Sequence, residues 1–323
     1  MKPQKIVPLK AGSIIAPLKA GDIVDVIAPG SACSVDNFKA AIQWLNSRGF
    51  KPRYSPHILK PDLYVSQSDD FRFKDLKKAL EAKDSKAIWC VRGGYGCLRL
   101  IPHLEKLNVK KMTPKLFIGL SDITVLHHYL NTKMGWPTLH GSVLERMGLK
   151  TLSPENEKQI IETIEGFRSL NECAKLNPLN KPAAKKGLLK GTLRGGNLAT
   201  YATLCGTGLN PKYKKNEKII LFFEDITERG YKVDRMLQQI KQSANLETVQ
   251  AVVFGDFTDC NEPNGKDFVT LTLKNFAEIL KLPVFSGIKA GHDVYQMPLF
   301  FNTETWLYTG QNGKLVNWSP YEI

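Results

Sequence analysis

The sequence has no apolar run approaching the ~18 residues that a membrane span requires, and nothing after its basic start, Met1 to Lys10, is apolar for long enough to act as a secretory signal. The expected compartment is therefore the cytoplasm, with no membrane partner. Paired cysteines are missing too. Cys33, Cys90, Cys97, Cys173, Cys205 and Cys260 are scattered with no C-x-x-C among them, which argues against a disulfide framework in a chain of this size and more strongly against a zinc knuckle. No H-E-x-x-H or comparable spacing links the histidines, so no metal is expected. The glycine turns match neither G-x-G-x-x-G nor the P-loop, and no nucleotide cofactor is expected either. Internal repeats and low-complexity tracts are absent. Basic residues exceed acidic ones by 45 − 31 = 14, but they fall in isolated doublets such as Lys77-Lys78 and Lys185-Lys186, with no aromatic-interleaved stripe. That leaves nucleic acid a minor reading, while an anionic small substrate fits the charge.

What is present describes a globular α/β protein. Of the 323 residues 42% are hydrophobic and 24% charged, enough for a large core. In the first half, short apolar strands at Ile23 to Ala28, Ala87 to Val91 and Lys115 to Leu120 alternate with amphipathic helices, among them one capped by Ser68 to Asp70 that carries Leu76, Ala79 and Leu80 on one face. That alternation predicts a parallel sheet covered by helices, with sites where strand ends meet helix starts. A proline-, lysine- and glycine-rich stretch, Asn177 to Gly187, has no period and reads as linker. Further strands are expected at Ile219 to Phe223, Ala251 to Phe254, Pro283 to Ser286 and Thr305 to Tyr308, with a helix from Tyr231 to about Ser243. The expected organisation is an N-terminal domain over 1–170, a linker over 171–188 and a C-terminal domain over 189–323.

Four features carry candidate chemistry. Gly119-Leu-Ser121-Asp122 stands where a strand runs into a helix, a turn that lifts a serine hydroxyl above the sheet beside free backbone N–H groups. Ser121 as a plain helix N-cap explains the same residues. Gly93-Gly-Tyr-Gly96 also follows a strand, either bringing N–H groups to a neighbouring site or serving as a tight turn. His292, in Ala290-Gly-His-Asp293, lies in a glycine-led loop from which it can meet a serine elsewhere in the chain, or simply face solvent. Glu224 ends an apolar strand, where a carboxylate needs a partner: an imidazole, or Arg229 or Arg235.

Taken in order, these stretches resemble the LD-carboxypeptidases, the serine peptidase family that includes muramoyltetrapeptide carboxypeptidases and microcin C immunity peptidases. The resemblance is carried by Val26-Ile-Ala-Pro-Gly30-Ser31, Arg92-Gly-Gly-Tyr-Gly96, Phe117-Ile-Gly-Leu-Ser121-Asp122, Gly191-Thr-Leu-Arg-Gly-Gly-Asn-Leu198, Leu221-Phe-Phe-Glu-Asp225 with Tyr231 to Arg235, and Gly291-His292 with Pro298-Leu299. It implies a Ser121, Glu224, His292 triad, with the nucleophile in the N-terminal domain and its two partners in the C-terminal one. It also implies an oxyanion hole from the N–H groups of Gly93, Gly94 and Asp122, a homodimer, and no metal or organic cofactor. The fold expected with it is a parallel sheet flanked by helices plus a C-terminal α/β domain with a mixed or barrel-like sheet.

The reaction expected with the triad is release of terminal D-alanine from murein tetrapeptides through an acyl-enzyme. Arg92 and Arg194, each beside a glycine turn, are candidate clamps for the substrate carboxylate. The chain departs from the family pattern at Leu120, usually tyrosine, and at Phe300, often glycine, which is expected to reshape the pocket. Three other readings stay open. A microcin-type immunity peptidase would need an aromatic such as Trp136 or Phe300 to stack a base. The others are a non-catalytic muropeptide-binding module and a cysteine enzyme built on Cys90 or Cys97.

Overall fold

The computed structural model describes residues 14–109, 112–244 and 246–321. Its first half runs β1 (Ile23–Ile27), α1 (Val35–Ser47), β2 (Lys51–Arg53), α2 (Asp69–Glu81), β3 (Ser85–Cys90), α3 (Ile101–Leu104), β4 (Leu116–Gly119), α4 (Thr124–Tyr129), β5 (Thr138–His140), α5 (Leu144–Gly148) and α6 (Pro154–Ile164). Serines set where the long helices begin. Ser34 accepts from the Asn37 N–H, Ser68 from Phe71 and Ser153 from Asn156, the last with Pro154 in the first turn. β3 and β4 are almost wholly buried, as strands covered by helices on both faces must be.

The second half runs β6 (Leu170–Pro178), α7 (Lys181–Ala184), β7 (Gly187–Asn197), α8 (Leu198–Thr203), β8 (Ile219–Ile226), α9 (Gly230–Ser243), β9 (Val249–Thr258), α10 (Val269–Ile279), β10 (Val284–Ser286), β11 (Leu299–Phe301), β12 (Glu304–Thr309) and β13 (Gly313–Trp318). Seven of these strands close a mixed barrel in the order β10-β6-β13-β12-β7-β8-β9. β7, β8, β9 and β10 are parallel; the pairs that bring in β6, β12 and β13 are antiparallel. The N-terminal sheet has the order β11-β5-β4-β3-β1-β2 and is parallel except for β11. The α/β class, with a parallel-rich sheet and a second domain built on a barrel, is as the sequence led one to expect.

The linker is a correction. Residues 170–178 form β6, hydrogen-bonded to β13 and β10 inside the barrel, and 181–184 form α7. Lys175 takes a left-handed φ of 61° where the register with β13 shifts, and such a bulge breaks the two-residue alternation that marks a strand. The expected C-terminal boundary is crossed as well, since β11 leaves the barrel to pair antiparallel with β5, Leu299 opposite His140. One buried cluster runs through both halves, joining Ile27, Ile88 and Phe117 to Tyr201, Leu221, Phe223 and Val252. A continuous apolar core of that kind fixes the halves relative to each other, and the site lies along their seam.

Candidate active site

β4 delivers Ser121 into a strained turn. Ser121 has φ +67°, a left-handed backbone that costs an L-residue ~1–2 kcal/mol, and it opens the short helical turn Ser121–Ile123 that leads into α4. The N-cap of that turn is Leu120, with no side-chain capping bond, so the capping explanation of Ser121 does not hold. Two glycines make room for the turn. A Cβ on Gly119 would lie 2.5 Å from Ile123 Cγ2, and one on Gly93 would lie 2.7 Å from Ser121 Cβ and 3.1 Å from its Oγ. Both approaches are too close for any side chain, so the Gly93 turn rests directly against the serine. Gly94 takes φ +82° and packs on Ser31. Outside the regular elements, neither the Gly93 nor the Gly94 N–H has a backbone acceptor among the described residues.

Glu224 and His292 meet on the barrel side. Glu224 is at the C-terminal end of β8, opposite Asn197 of β7, and its side chain is fully buried. His292 Nδ1 lies 2.7 Å from Glu224 Oε2, with the imidazole 14% exposed. Burial alone would lower the imidazole's pKa, but the charge of Glu224 and its hydrogen bond outweigh that and raise it above the ordinary histidine value. Arg229 pairs with Glu262 instead. The end of β7 is pressed onto the helix that follows the serine turn: Asn197 N donates to Thr124 Oγ1 at 3.0 Å. β7 thus carries Glu224's neighbour to within one helical turn of Ser121.

Comparison with known proteins then decides the family. Residues 24–141 match the LD-carboxypeptidase N-terminal domain, and residues 190–307 match the LD-carboxypeptidase C-terminal domain. The chain belongs to the LD-carboxypeptidase family. It is a serine-type carboxypeptidase, a hydrolase of peptide bonds. A putative carboxypeptidase of Rickettsia conorii is 37% identical over 259 residues, covering 78% of each chain. The murein tetrapeptide carboxypeptidase of Pseudomonas aeruginosa is 31% identical over 276 residues, 83% of this chain and 87% of the relative. Among solved structures, the muramoyltetrapeptide carboxypeptidase of Oxalobacter formigenes superimposes with a TM-score of 0.77 at 27% identity, covering 93% of this chain and 100% of the other. The protein MccF in complex with glutamyl sulfamoyl guanosine has a TM-score of 0.80 at 19% identity, covering 96% and 99%, a likeness of fold alone.

The other candidate residues of this LD-carboxypeptidase divide sharply. Arg92 stays half exposed beside Gly93, donating to the Ala32 carbonyl at 3.2 Å with Glu145 3.6 Å away. Arg194 is only 6% exposed. Its Nε and Nη1 lack partners among the described residues, and burial lowers its pKa. It lies buried among Tyr201, Tyr213, Glu217 and His128, whereas Arg92 stays open to solvent. Phe300 and Trp136 are core residues at 0% and 2% exposure; Phe300 packs on Tyr321 and cannot reshape a pocket or stack a base. The Cys90 and Cys97 thiols are buried, and burial pushes both pKa values up, the opposite of an activated thiolate. Burial also lowers the pKa of His127 to about 4 and of His128 to about 3. The Asp122 carboxyl, raised to about 6 by burial, accepts from the Cys97 N–H at 2.8 Å. It ties the serine turn to the chain just after the second glycine turn.

Two supporting residues were given no role by the sequence. Arg72, fully buried, donates to the carbonyls of Pro29, Gln67 and Gly96 and so pins the Pro29-Gly30 loop to the Gly93–Gly96 turn. Asp225 accepts from Asn197 Nδ2 and from the Ala199 and Ile226 N–H groups, fixing the start of α8. The contact with Gly93 gives a direct test of the packing. Gly93→Ala should displace the serine turn and lower kcat by about 10²-fold, the usual cost of an ångström-scale misplacement, with the far-ultraviolet circular dichroism unchanged. Wild-type kcat in that variant would mean the turn is not held from this side.

Proposed function

We propose that the protein releases the terminal D-alanine of murein tetrapeptides through an acyl-enzyme on Ser121, with His292 as general base and Glu224 orienting it. The observation that carries this reading is the 2.7 Å contact between His292 Nδ1 and buried Glu224. With Nδ1–H donated to the carboxylate, Nε2 is left as the basic nitrogen. It takes the Ser121 proton as Oγ attacks the amide carbonyl, and it returns that proton to the leaving amine. Water then hydrolyses the acyl-enzyme with the same base. The N–H groups of Gly93, Gly94 and Asp122 supply the donors for the tetrahedral oxyanion. A carboxypeptidase must also bind the free carboxylate of the residue it releases, and Arg92, half exposed beside Gly93, has the forked donors for it. Cytoplasmic action as a homodimer is part of the same proposal.

The substrate reading draws on the relatives from Pseudomonas aeruginosa and Oxalobacter formigenes, whose names give murein or muramoyl tetrapeptide. Mass spectrometry of purified tetrapeptide after incubation should show loss of one D-alanine, from cleavage after the L-centre of meso-diaminopimelate. An aminoacyl-nucleotide amide, run in parallel, tests the other branch of the family. Cleavage of that amide with the tetrapeptide untouched would transfer the assignment to an immunity-type peptidase.

A further inference from the structure

We propose that Arg146 is a positioning residue that locks the His292 loop to the half of the molecule carrying Ser121; the proposal rests on the triad reading above. The triad is drawn from both halves, so its geometry depends on how the His292 loop is registered against the N-terminal sheet. Glu224 cannot set that register. It holds the ring, and it belongs to the barrel, as the loop does.

Arg146 comes from α5. The preceding residue ties this helix to the end of β3, Glu145 N donating to the Val91 carbonyl at 3.0 Å, one residue before the Arg92-Gly93 turn. From there the guanidinium reaches across the seam. Nη1 donates to the His292 carbonyl at 3.0 Å, Nη2 to the Asp293 carbonyl at 2.9 Å, and Nε to Thr151 Oγ1 at 3.1 Å. Its two terminal nitrogens thus grip consecutive carbonyls, one of them belonging to the base itself. A planar fork presents these donors at a fixed spacing and angle, which a flexible lysine ammonium in its place does not reproduce. Downstream, α6 continues the same seam: Ser153 N donates to the Val294 carbonyl, and Asn156 makes a reciprocal amide pair with the Gln296 backbone. Those bonds hold the loop's exit, leaving Arg146 as the grip on residues 292 and 293.

The guanidinium also adds a charge to the surroundings of the imidazole. Glu224 and Asp225 on β8 and Arg146 on α5 act on His292 directly, and His140 on β5 lies close to it. Asp256 on β9 flanks Gly291, and Asp293 is on the loop itself. The β8 carboxylates strengthen the imidazole's hold on its proton and Arg146 weakens it. Removing the charge should therefore move the acid limb of kcat/KM to higher pH.

The test compares Arg146→Met and Arg146→Lys with the wild type and Ser121→Ala. Both Arg146 variants should lose about 10²-fold in kcat with KM changed by less than about threefold, the pattern of a misplaced catalytic group. The acid limb should rise in Arg146→Met and stay in place in Arg146→Lys, which keeps the charge but not the fork. Hydrogen–deuterium exchange should quicken in both over residues 288–296 and stay unchanged elsewhere. A kcat within about twofold of wild type in Arg146→Met, wild-type exchange over 288–296, or exchange quickened across the whole chain would each overturn the proposal. Full activity of Ser121→Ala, or an inert wild type, would instead bring down the functional reading alone. The exchange measurement needs no substrate and decides the clasp in either case.

Discussion

Ser121→Ala should reduce kcat by about 10⁶-fold, the loss that follows removal of the nucleophile from a serine-peptidase triad, while leaving KM and the melting temperature close to wild type. The reasoning is local. The half-buried Ser121 makes no capping bond, so its hydroxyl contributes little to the folded state. Alanine in the same left-handed conformation, φ +67°, carries the same backbone cost, so the substitution neither relieves the strain nor adds to it. Such a change lies within about 0.5 kcal/mol of neutral. What is lost, in the proposed mechanism, is the attacking oxygen. The Gly93, Gly94 and Asp122 N–H groups and the substrate contacts remain, so a residual rate of about 10³–10⁴-fold over water is expected. Pre-steady-state turnover of the tetrapeptide, paired with a thermal melt, separates the two effects. A variant that keeps more than about a hundredth of the wild-type rate would remove Ser121 from the mechanism.

The elements visible in the sequence were those whose reason for existing is local. β1, β3, β4 and β8 are short apolar runs because both of their faces are covered, and the helices carry serine caps that sequence alone displays. The serine turn was legible for the same reason: strand, glycine, serine and helix start lie within a few consecutive residues. β6 and β11 were not, because each owes its place to partners far along the chain. β6 is a bulged strand with few buried positions, paired with β13 some 140 residues on, and β11 is three residues annexed by the edge of another domain's sheet.

The same division holds within the site. Ser121, Glu224 and His292 stand in recognisable local settings. Arg194 precedes a pair of glycines just as Arg92 does, but that pair lies within β7 rather than in a turn, and the strand carries Arg194 into the buried seam between barrel and helices, which adjacency in sequence cannot reveal. Phe300 is near His292 in number, yet its strand pairing with β5 takes it into the core. Arg146 had no signal at all. Its meaning comes from two carbonyls about 150 residues away, and a carbonyl looks the same in every residue type.

Glu224→Gln isolates what the buried carboxylate does for the base, and it should cost about 10³–10⁴-fold in kcat, as for the equivalent acid in other serine triads. Glutamine fills the same volume, so the fully buried site need not collapse. It removes the charge that, in the proposed mechanism, stabilises the imidazolium formed when His292 accepts the serine proton. Its amide can also turn an N–H toward Nδ1, forcing the proton onto Nε2, where it blocks the base. The pH profile distinguishes this from a packing defect. The proposed mechanism needs neutral His292, so in the wild type kcat/KM should rise as pH climbs through a pKa held above the ordinary histidine value, where the Glu224 charge and hydrogen bond offset burial. With glutamine, burial is left with only weaker opposition from Asp225, and the limb should move to lower pH even as the plateau falls. Asp225 itself is raised to about 7, by burial first and the Glu224 charge second. Its proton would loosen in the same direction, so the His292 ring must be titrated by NMR to assign the limb. An imidazole pKa unchanged in Glu224→Gln would mean that the 2.7 Å contact does not couple carboxylate to base, and Glu224 would have to leave the triad.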